Sequence, residues 1–327
     1  MALARVPDQI NFFVAGSERS GTTVTGTLLD QMPEICNMQA TMVMTRLSNM
    51  FMMIKNVLEQ GGEIDGVDPI VCGNLTDFVN CVSVTPFLHK TLFHICYYEN
   101  LVNSARADVT KDVLAQKAYV EGFDFNRYMQ RYEDGDRTWK TTITALYSEF
   151  AASNPGRYRL FGEQTPDNAL YIDTMKSLFP DSKVIFMVRH PVTCVASLMD
   201  RYGSVDEATL LYRNPFAHYP FNNEAVMEQT LFVKFEDLLM HQDRTLNLMR
   251  EFLGLKPLKA SKLNKKHASK MFSKYVGNSL STDRYFRSLA KIPPETRRLI
   301  FQKNDDIAKV FYSEDETADI IGYQQAA

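Results

Sequence analysis

Residues 16–23 read Gly16-Ser17-Glu18-Arg19-Ser20-Gly21-Thr22-Thr23 and close the apolar run INFFVAG of residues 10–16. A strand ending in glycine, a tight turn and a helix start make a cradle for an anion. Glycine lets successive backbone N–H groups turn inward, and the helix N-terminus adds about half a positive charge. Ser17, Ser20, Thr22 and Thr23 bring hydroxyl donors. The glycines have the spacing of the nucleoside-triphosphate loop GxxxxGK[ST], but Thr22 stands where that loop has lysine, and the cation sits inside the turn at Arg19. A second apolar run, KVIFMV at 183–188, is followed by Arg189, where a Mg²⁺-dependent enzyme would need an acid. A cation there repels a metal and attracts a second phosphate. Ser197 follows after almost two helical turns. The departures agree on an anion site with two arginines and no metal. Taken singly, each has a plain reading: a strand-end arginine in a surface ion pair, a serine in a helix.

These segments resemble the PAPS-dependent sulfotransferases, whose donor is 3′-phosphoadenosine-5′-phosphosulfate. GSERSGTT resembles their 5′-phosphosulfate loop, and VRHPVTCVASL their 3′-phosphate motif, an arginine at a strand end with a serine eight positions later. LFVKFEDLLMHQDRTLNLMREFLGL is similar to a further family stretch, and IIGY at 320–323 to its closing segment. The resemblance implies that Ser17, Arg19, Ser20, Gly21, Thr22 and Thr23 hold the phosphosulfate, that Arg189 and Ser197 hold the 3′-phosphate, and that PAP is the product. Arg19, where many relatives carry lysine, would stabilise the leaving phosphate by charge, since arginine does not readily give up its proton. FGEQTPDN resembles the "EKS/EKTP" segment of heparan-sulfate N-sulfotransferases and bacterial relatives, which makes Glu163 the general base, with Gln164 in place of the usual lysine. The plain alternative for Glu163 is a loop carboxylate in a cap or ion pair. Protein-tyrosine sulfotransferases carry an acid in a stretch that here reads Asn37-Met38-Gln39-Ala40-Thr41, with no acid. His89, His94 and His218 are the reserve bases. In SKYVGNSLSTDRYFRSL, Lys274, Arg284 and Arg287 could add cations to the 3′-phosphate, as a late family loop does. A family dimer signature is echoed from Lys140 to Glu149, but in the middle of the chain, and is treated as coincidence.

The elements that must position these residues alternate. The runs at 10–16, 157–166 and 183–190 read as strands, 230–239 as a strand running into a helix, and helices are expected after the loop, at 168–179, from Pro191 and at 245–255. That order predicts an α/β fold: a P-loop-like, three-layer arrangement with a mainly parallel sheet flanked by helices. The chain is expected to form one domain, 1–327, with 41–150 a mostly helical insertion carrying the substrate pocket. Within it a methionine-rich helix is expected at 41–60, with helical pieces near 85–103, 110–132 and 137–153. Its methionines fit core packing or a pliable pocket wall.

Composition narrows the function classes. The 327 residues carry 36 Lys and Arg against 39 Asp and Glu, a net charge of −3. A general nucleic-acid or anionic-membrane binder would be basic, so neither partner is expected, and a small-molecule acceptor is. Cys36, Cys72, Cys81, Cys96 and Cys194 form no CxxC pair, which fits a reducing, cytoplasmic setting. Cys81, His89, His94 and Cys96 match no zinc spacing. The stretch 41–58 is interrupted by Arg46, Asn49, Lys55 and Asn56 and is too polar to span a bilayer; no secretory leader is recognised at the start. The expectation is a soluble PAPS-dependent sulfotransferase of the bacterial tailoring kind, making a sulfated small molecule such as a secondary metabolite. The alternatives are a P-loop kinase or NTPase, or a non-catalytic PAP-binding module.

Overall fold

A computed structural model describes residues 10–39, 41–64, 67, 73–105, 124–152, 158–259, 261, 263 and 281–323. Its centre is a five-stranded, wholly parallel sheet of order β2-β3-β1-β4-β5. The strands are β1 (Phe12–Gly16), β2 (Ile35–Gln39), β3 (Leu160–Gln164), β4 (Lys183–Val188) and β5 (Thr230–Lys234). Both central strands read as continuous apolar runs because helices cover both faces: every residue of β1, and all of β4 except Lys183, is buried. Odd and even positions of β1 serve different layers. Phe13 and Ala15 join the larger core with the insertion helices, while Phe12 and Val14 join the smaller one with Leu28, Leu29 and Leu246.

The expected strands are present, with one addition to the sheet. β2 was not expected from its sequence, ICNMQ. It pairs with β3 from Ile35↔Leu160 to Gln39↔Gln164, so its strand character comes from a partner more than 120 residues away. The segment expected as one helix at 168–179 divides into a 3₁₀ turn, Pro166–Leu170, and a helix, Ile172–Leu178. Pro166 supplies the fixed φ that starts the turn.

The insertion contains the helices Val43–Glu59, Leu75–Cys81, Pro86–Ala105, Phe125–Asp134 and Trp139–Ala152. Part of the piece expected at 110–132 lies outside the described residues. In the methionine-rich helix Val43–Glu59, Met44 and Met50 are buried in the core, while Met52 and Met53 are exposed. Arg46, which breaks the apolar pattern of this helix, is 1% exposed, and its Nη1 donates to Thr41 O (2.8 Å) and Cys96 O (3.2 Å). It therefore ties the start of this helix to Pro86–Ala105. The mid-chain Glu149 is also internal: its carboxylate is fully buried and receives Arg127, with Arg131 at 3.5 Å.

Candidate functional site

The loop after β1 is strained in the places an anion cradle requires. Gly16, Arg19 and Gly21 have φ of 144°, 67° and 98°. A Cβ on Gly16 would lie 2.4 Å from Met187 O and 2.9 Å from Ser20 Oγ. Arg19 holds a left-handed conformation that arginine adopts only at a cost, and such strain persists where surrounding contacts enforce it.

Those contacts come from the two helices after β4, Pro191–Tyr202 and Val205–His218. Arg189 Nη1 donates to Arg19 O (2.9 Å), and Arg19 Nε donates to Ser197 Oγ (3.1 Å). Ser17 Oγ donates to Tyr212 O (2.7 Å), and the Cys194 thiol donates to Glu18 O (3.4 Å). The Glu18 carboxylate receives Arg201 and the Tyr202 hydroxyl. Thr193, Ser197 and Arg201 are spaced four apart, so they share one face of their helix, and each touches the arginine or acid nearest it in the site. The Arg-x₇-Ser spacing thus has a physical basis: Thr193 receives Arg189 Nε (3.1 Å), and Ser197, one turn on, meets Arg19. Burial pushes the Cys194 thiol up to about 12, so it is a neutral donor to the loop rather than a nucleophile.

Arg19, Arg189 and Ser197, expected to share one site, are brought together. Ser20 is fully buried, and its hydroxyl has no partner among the described residues. An orphaned donor above Gly16, a turn a side chain would fill, and two guanidinium groups fit a phosphate ester. Thr22 is buried and Thr23 half-buried at the helix start. Lys274 lies outside the described residues. Arg287 is exposed, and its Nε donates to Asp283 O (3.3 Å); Tyr285 of the same helix reaches Arg189.

Glu163, near the end of β3, is 1% exposed and saturated with donors. Oε1 accepts from Thr41 Oγ1 (2.7 Å), Thr41 N (3.2 Å) and Thr165 Oγ1 (2.6 Å), and Oε2 from Asn168 Nδ2 (2.6 Å). Burial raises its pKa; the donors from Thr165, Asn168 and Thr41 pull it partly back. Sequence reading missed Thr41, which closes the stretch 37–41 noted above for lacking an acid: it supplies donors to the acid on β3.

It also missed Asp167, in the 3₁₀ turn. Asp167 is half-buried, and its pKa is raised by burial first and by the nearby Glu18 charge second. Of the reserve histidines, His89 is fully buried, stacked on Tyr128 (4.1 Å between centroids) and beside Tyr132 (4.2 Å), and burial lowers its pKa to about 4. His94 packs edge-on against Phe93. His218 is exposed, with Nδ1 2.9 Å from Asn214 O. It lines a cleft of about 510 Å³ with Ser48, Phe51, Met52, Thr76 and Tyr171. Among the described residues no three His, Cys, Asp or Glu side chains converge as metal ligands, and no helix is long and apolar enough to cross a membrane.

Comparison with known proteins bears on the fold and the family. The sulfotransferase domain of the Synechococcus PCC 7002 olefin synthase aligns over 93% of this chain and 98% of its own length, with 17% identity and a TM-score of 0.50. A sulfotransferase domain from the curacin biosynthetic pathway aligns over 93% and 98% with 15% identity and a TM-score of 0.47. Sulfotransferase STF9 of Mycobacterium avium aligns over 95% and 79% with 14% identity and a TM-score of 0.40. No curated protein matches the sequence. The profile of the sulfotransferase family matches residues 83–259, just over half of the chain, from within the helical insertion through both the Glu163 and Arg189 segments. The chain therefore belongs to the sulfotransferase family.

Proposed function

We propose that this protein transfers a sulfuryl group from PAPS to a hydroxyl or amine of a small-molecule acceptor, without a metal ion. The meeting of Arg19, Arg189 and Ser197 on one strained loop carries the reading. Ser17, Ser20, Gly21, Thr22 and Thr23 line the cradle for the 5′-phosphosulfate, and Arg189 and Ser197 hold the 3′-phosphate. When bound, PAPS supplies an electrophilic sulfur and a phosphate leaving group. Arg19 stabilises the negative charge that develops there, by charge and hydrogen bonding rather than by proton donation.

Glu163 takes the acceptor proton in this reading. Its Oε1 already accepts three hydrogen bonds and its Oε2 one, so the acceptor must approach Oε2 beside Asn168 or displace one of these donors to reach it. A second reading has a specific observation in its favour: Asp167, four residues on, is partly exposed beside Glu18 and carries a raised pKa. It needs no such displacement. The 510 Å³ cleft is the proposed acceptor site. Tyr171, on its wall, also feels the Asp167 charge, and Met52 gives the wall an adaptable apolar surface. The acceptor is proposed to be a biosynthetic intermediate, in keeping with the olefin synthase setting of the Synechococcus domain. A cytoplasmic setting is proposed from the free thiols Cys36, Cys81, Cys96 and Cys194.

A thermal-shift titration with PAP and with ATP, each with EDTA and with Mg²⁺, tests the reading. PAP at about 100 times its dissociation constant should stabilise the fold by roughly 2.7 kcal/mol, with or without metal. Stabilisation by Mg·ATP alone would overturn the donor assignment in favour of a kinase or NTPase.

A further inference from the structure

The segment Phe235-Glu236, directly after β5, touches both halves of the phosphate site. The Arg189 guanidinium lies over the rings of Phe235 (4.9 Å to the centroid) and Tyr285 (5.7 Å). Phe235 also packs against the turn of the loop: a Cβ on Gly21 would lie 2.4 Å from its ring. One ring therefore sets the spacing between the loop and Arg189. Glu236 holds the other parts of this clamp. Its Oε1 accepts from the Tyr285 hydroxyl (2.9 Å) and His190 N (3.2 Å), and lies 3.5 Å from the hydroxyl of Thr193, which itself receives Arg189 Nε. Its Oε2 accepts from the Tyr312 hydroxyl (2.8 Å). Tyr285 lies on the helix Thr282–Ala290 and Tyr312 directly follows the helix Asp305–Phe311, so one carboxylate fastens both segments to the strand end that bears Arg189. Among the described residues no ion pair joins Glu236 to Arg189; the connection runs through Thr193, Tyr285 and the backbone of His190.

We infer that Phe235 and Glu236 are positioning residues for the 3′-phosphate: they fix the Arg189 guanidinium between two rings, and selectivity for nucleotides that carry this phosphate depends on Glu236. The inference rests on the donor site proposed above. It has a sign that simple electrostatics reverses. A carboxylate near an anion site repels phosphate, so by Coulomb's law alone its removal would tighten binding. If it positions Arg189, its removal weakens binding.

The test is calorimetric binding of PAP and of adenosine 5′-phosphate, which lacks the 3′-phosphate. Glu236→Ala should weaken PAP about tenfold and leave adenosine 5′-phosphate unchanged. Glu236→Gln, which keeps the shape and an acceptor oxygen, should stay within about threefold of wild type. In an Arg189→Ala background Glu236→Ala should have no further effect on PAP, since the two residues act as one unit. Should Glu236→Ala not fold, Tyr285→Phe removes only the hydroxyl and should weaken PAP about threefold, again without affecting adenosine 5′-phosphate. Tighter PAP binding in these variants, or equal losses on both ligands, would overturn the inference. If the wild-type protein itself shows no preference for PAP over adenosine 5′-phosphate, the donor assignment fails instead.

Discussion

At the proposed phosphate end of the site, side chains from one helix and the strand end before it reach a two-residue stretch of loop: Arg189 to Arg19 O, Cys194 to Glu18 O, Ser197 to Arg19 Nε, and Arg201 and Tyr202 to Glu18. At the proposed acceptor end, Glu163 is sealed by donors from Thr41, Thr165 and Asn168, and its neighbours come from segments 122 residues apart in sequence. The first arrangement holds two cations where a ligand can meet them. The second holds an anion where solvent cannot. A guanidinium remains charged at any physiological pH and can wait exposed, whereas a carboxylate that must accept a proton gains from burial that raises its affinity for one.

The largest expected effect separates the two carboxylates of the acceptor end. Glu163→Gln should lower turnover by about 10²–10⁴-fold, the usual contribution of a general base, while PAP affinity stays within about threefold. Asp167→Asn should leave turnover near wild type. Single-turnover rates with a competent acceptor, read beside PAP calorimetry, check both. The reverse pattern would move the base to Asp167 and leave Glu163 as the brace that ties β3 to the start of the methionine-rich helix.

The next effect is on stability and belongs to the helices between β2 and β3. His89 is buried between Tyr128 and Tyr132, and neither ring nitrogen has a partner among the described residues. Burial lowers its pKa to about 4 in the folded state, against an ordinary 6.5. The unfolded chain therefore takes up a proton near pH 6.5 that the folded protein takes up only near pH 4. Its contribution is complete above pH 6.5, falls as the pH drops, and levels off below 4, an expected loss of about 3 kcal/mol. His190, lowered to about 3 by burial, acts in the same direction. Urea unfolding from pH 7.5 to 4 should show this slope, and His89→Phe should flatten the part that His89 contributes. A slope unchanged in His89→Phe would contradict the assignment.

How much of this was legible in the sequence follows the same division. The phosphate end could be read because each of its halves is a contiguous motif, a strand–turn–helix loop after β1 and an Arg-x₇-Ser spacing that is a helical period counted from the end of β4, although the contacts joining the halves span 170 and 178 residues. β2 could not: ICNMQ is a short edge strand whose pairing is to distant β3, and nothing within it marks the register. Thr41 as a partner of Glu163 depends on the same long-range pairing, and Asp167 as a neighbour of Glu18 depends on the pairing of β1 with β3. Arg46 reads as a break in an apolar helix face and is a buried tie between two helices. Arg46 thus misleads in one direction: it looks surface-bound and is internal, because it satisfies the backbone carbonyls of Thr41 and Cys96.

A smaller effect is expected at Arg189. Arg189→Ala removes charged hydrogen bonds and should weaken PAP by about 1.5–3 kcal/mol. The cost should be specific to the 3′-phosphate, so adenosine 5′-phosphate should lose far less. Unchanged PAP affinity would remove Arg189 from the site and, with it, the contrast between the two ends.

The smallest effect concerns the rim of the phosphate end. Arg201 is 63% exposed and pairs with Glu18, which also receives the Tyr202 hydroxyl. An exposed pair of this kind contributes roughly 0–1 kcal/mol to stability, so Arg201→Ala should barely move the unfolding midpoint. PAP binding should respond differently. Without Arg201 the Glu18 charge is no longer neutralised beside the phosphate loop, and PAP should bind about two- to fivefold more weakly at low salt. Screening over about 10 Å at 0.1 M salt, and over shorter distances above it, should erase most of that difference by 0.5 M. Loss of the 3′-phosphate contact at Arg189 should persist at the same salt, because it is a direct hydrogen bond in a partly buried clamp. Measuring both variants across one salt series therefore separates the two kinds of cation at this end: Arg201, which offsets a neighbouring acid through solvent, and Arg189, which holds the ligand itself.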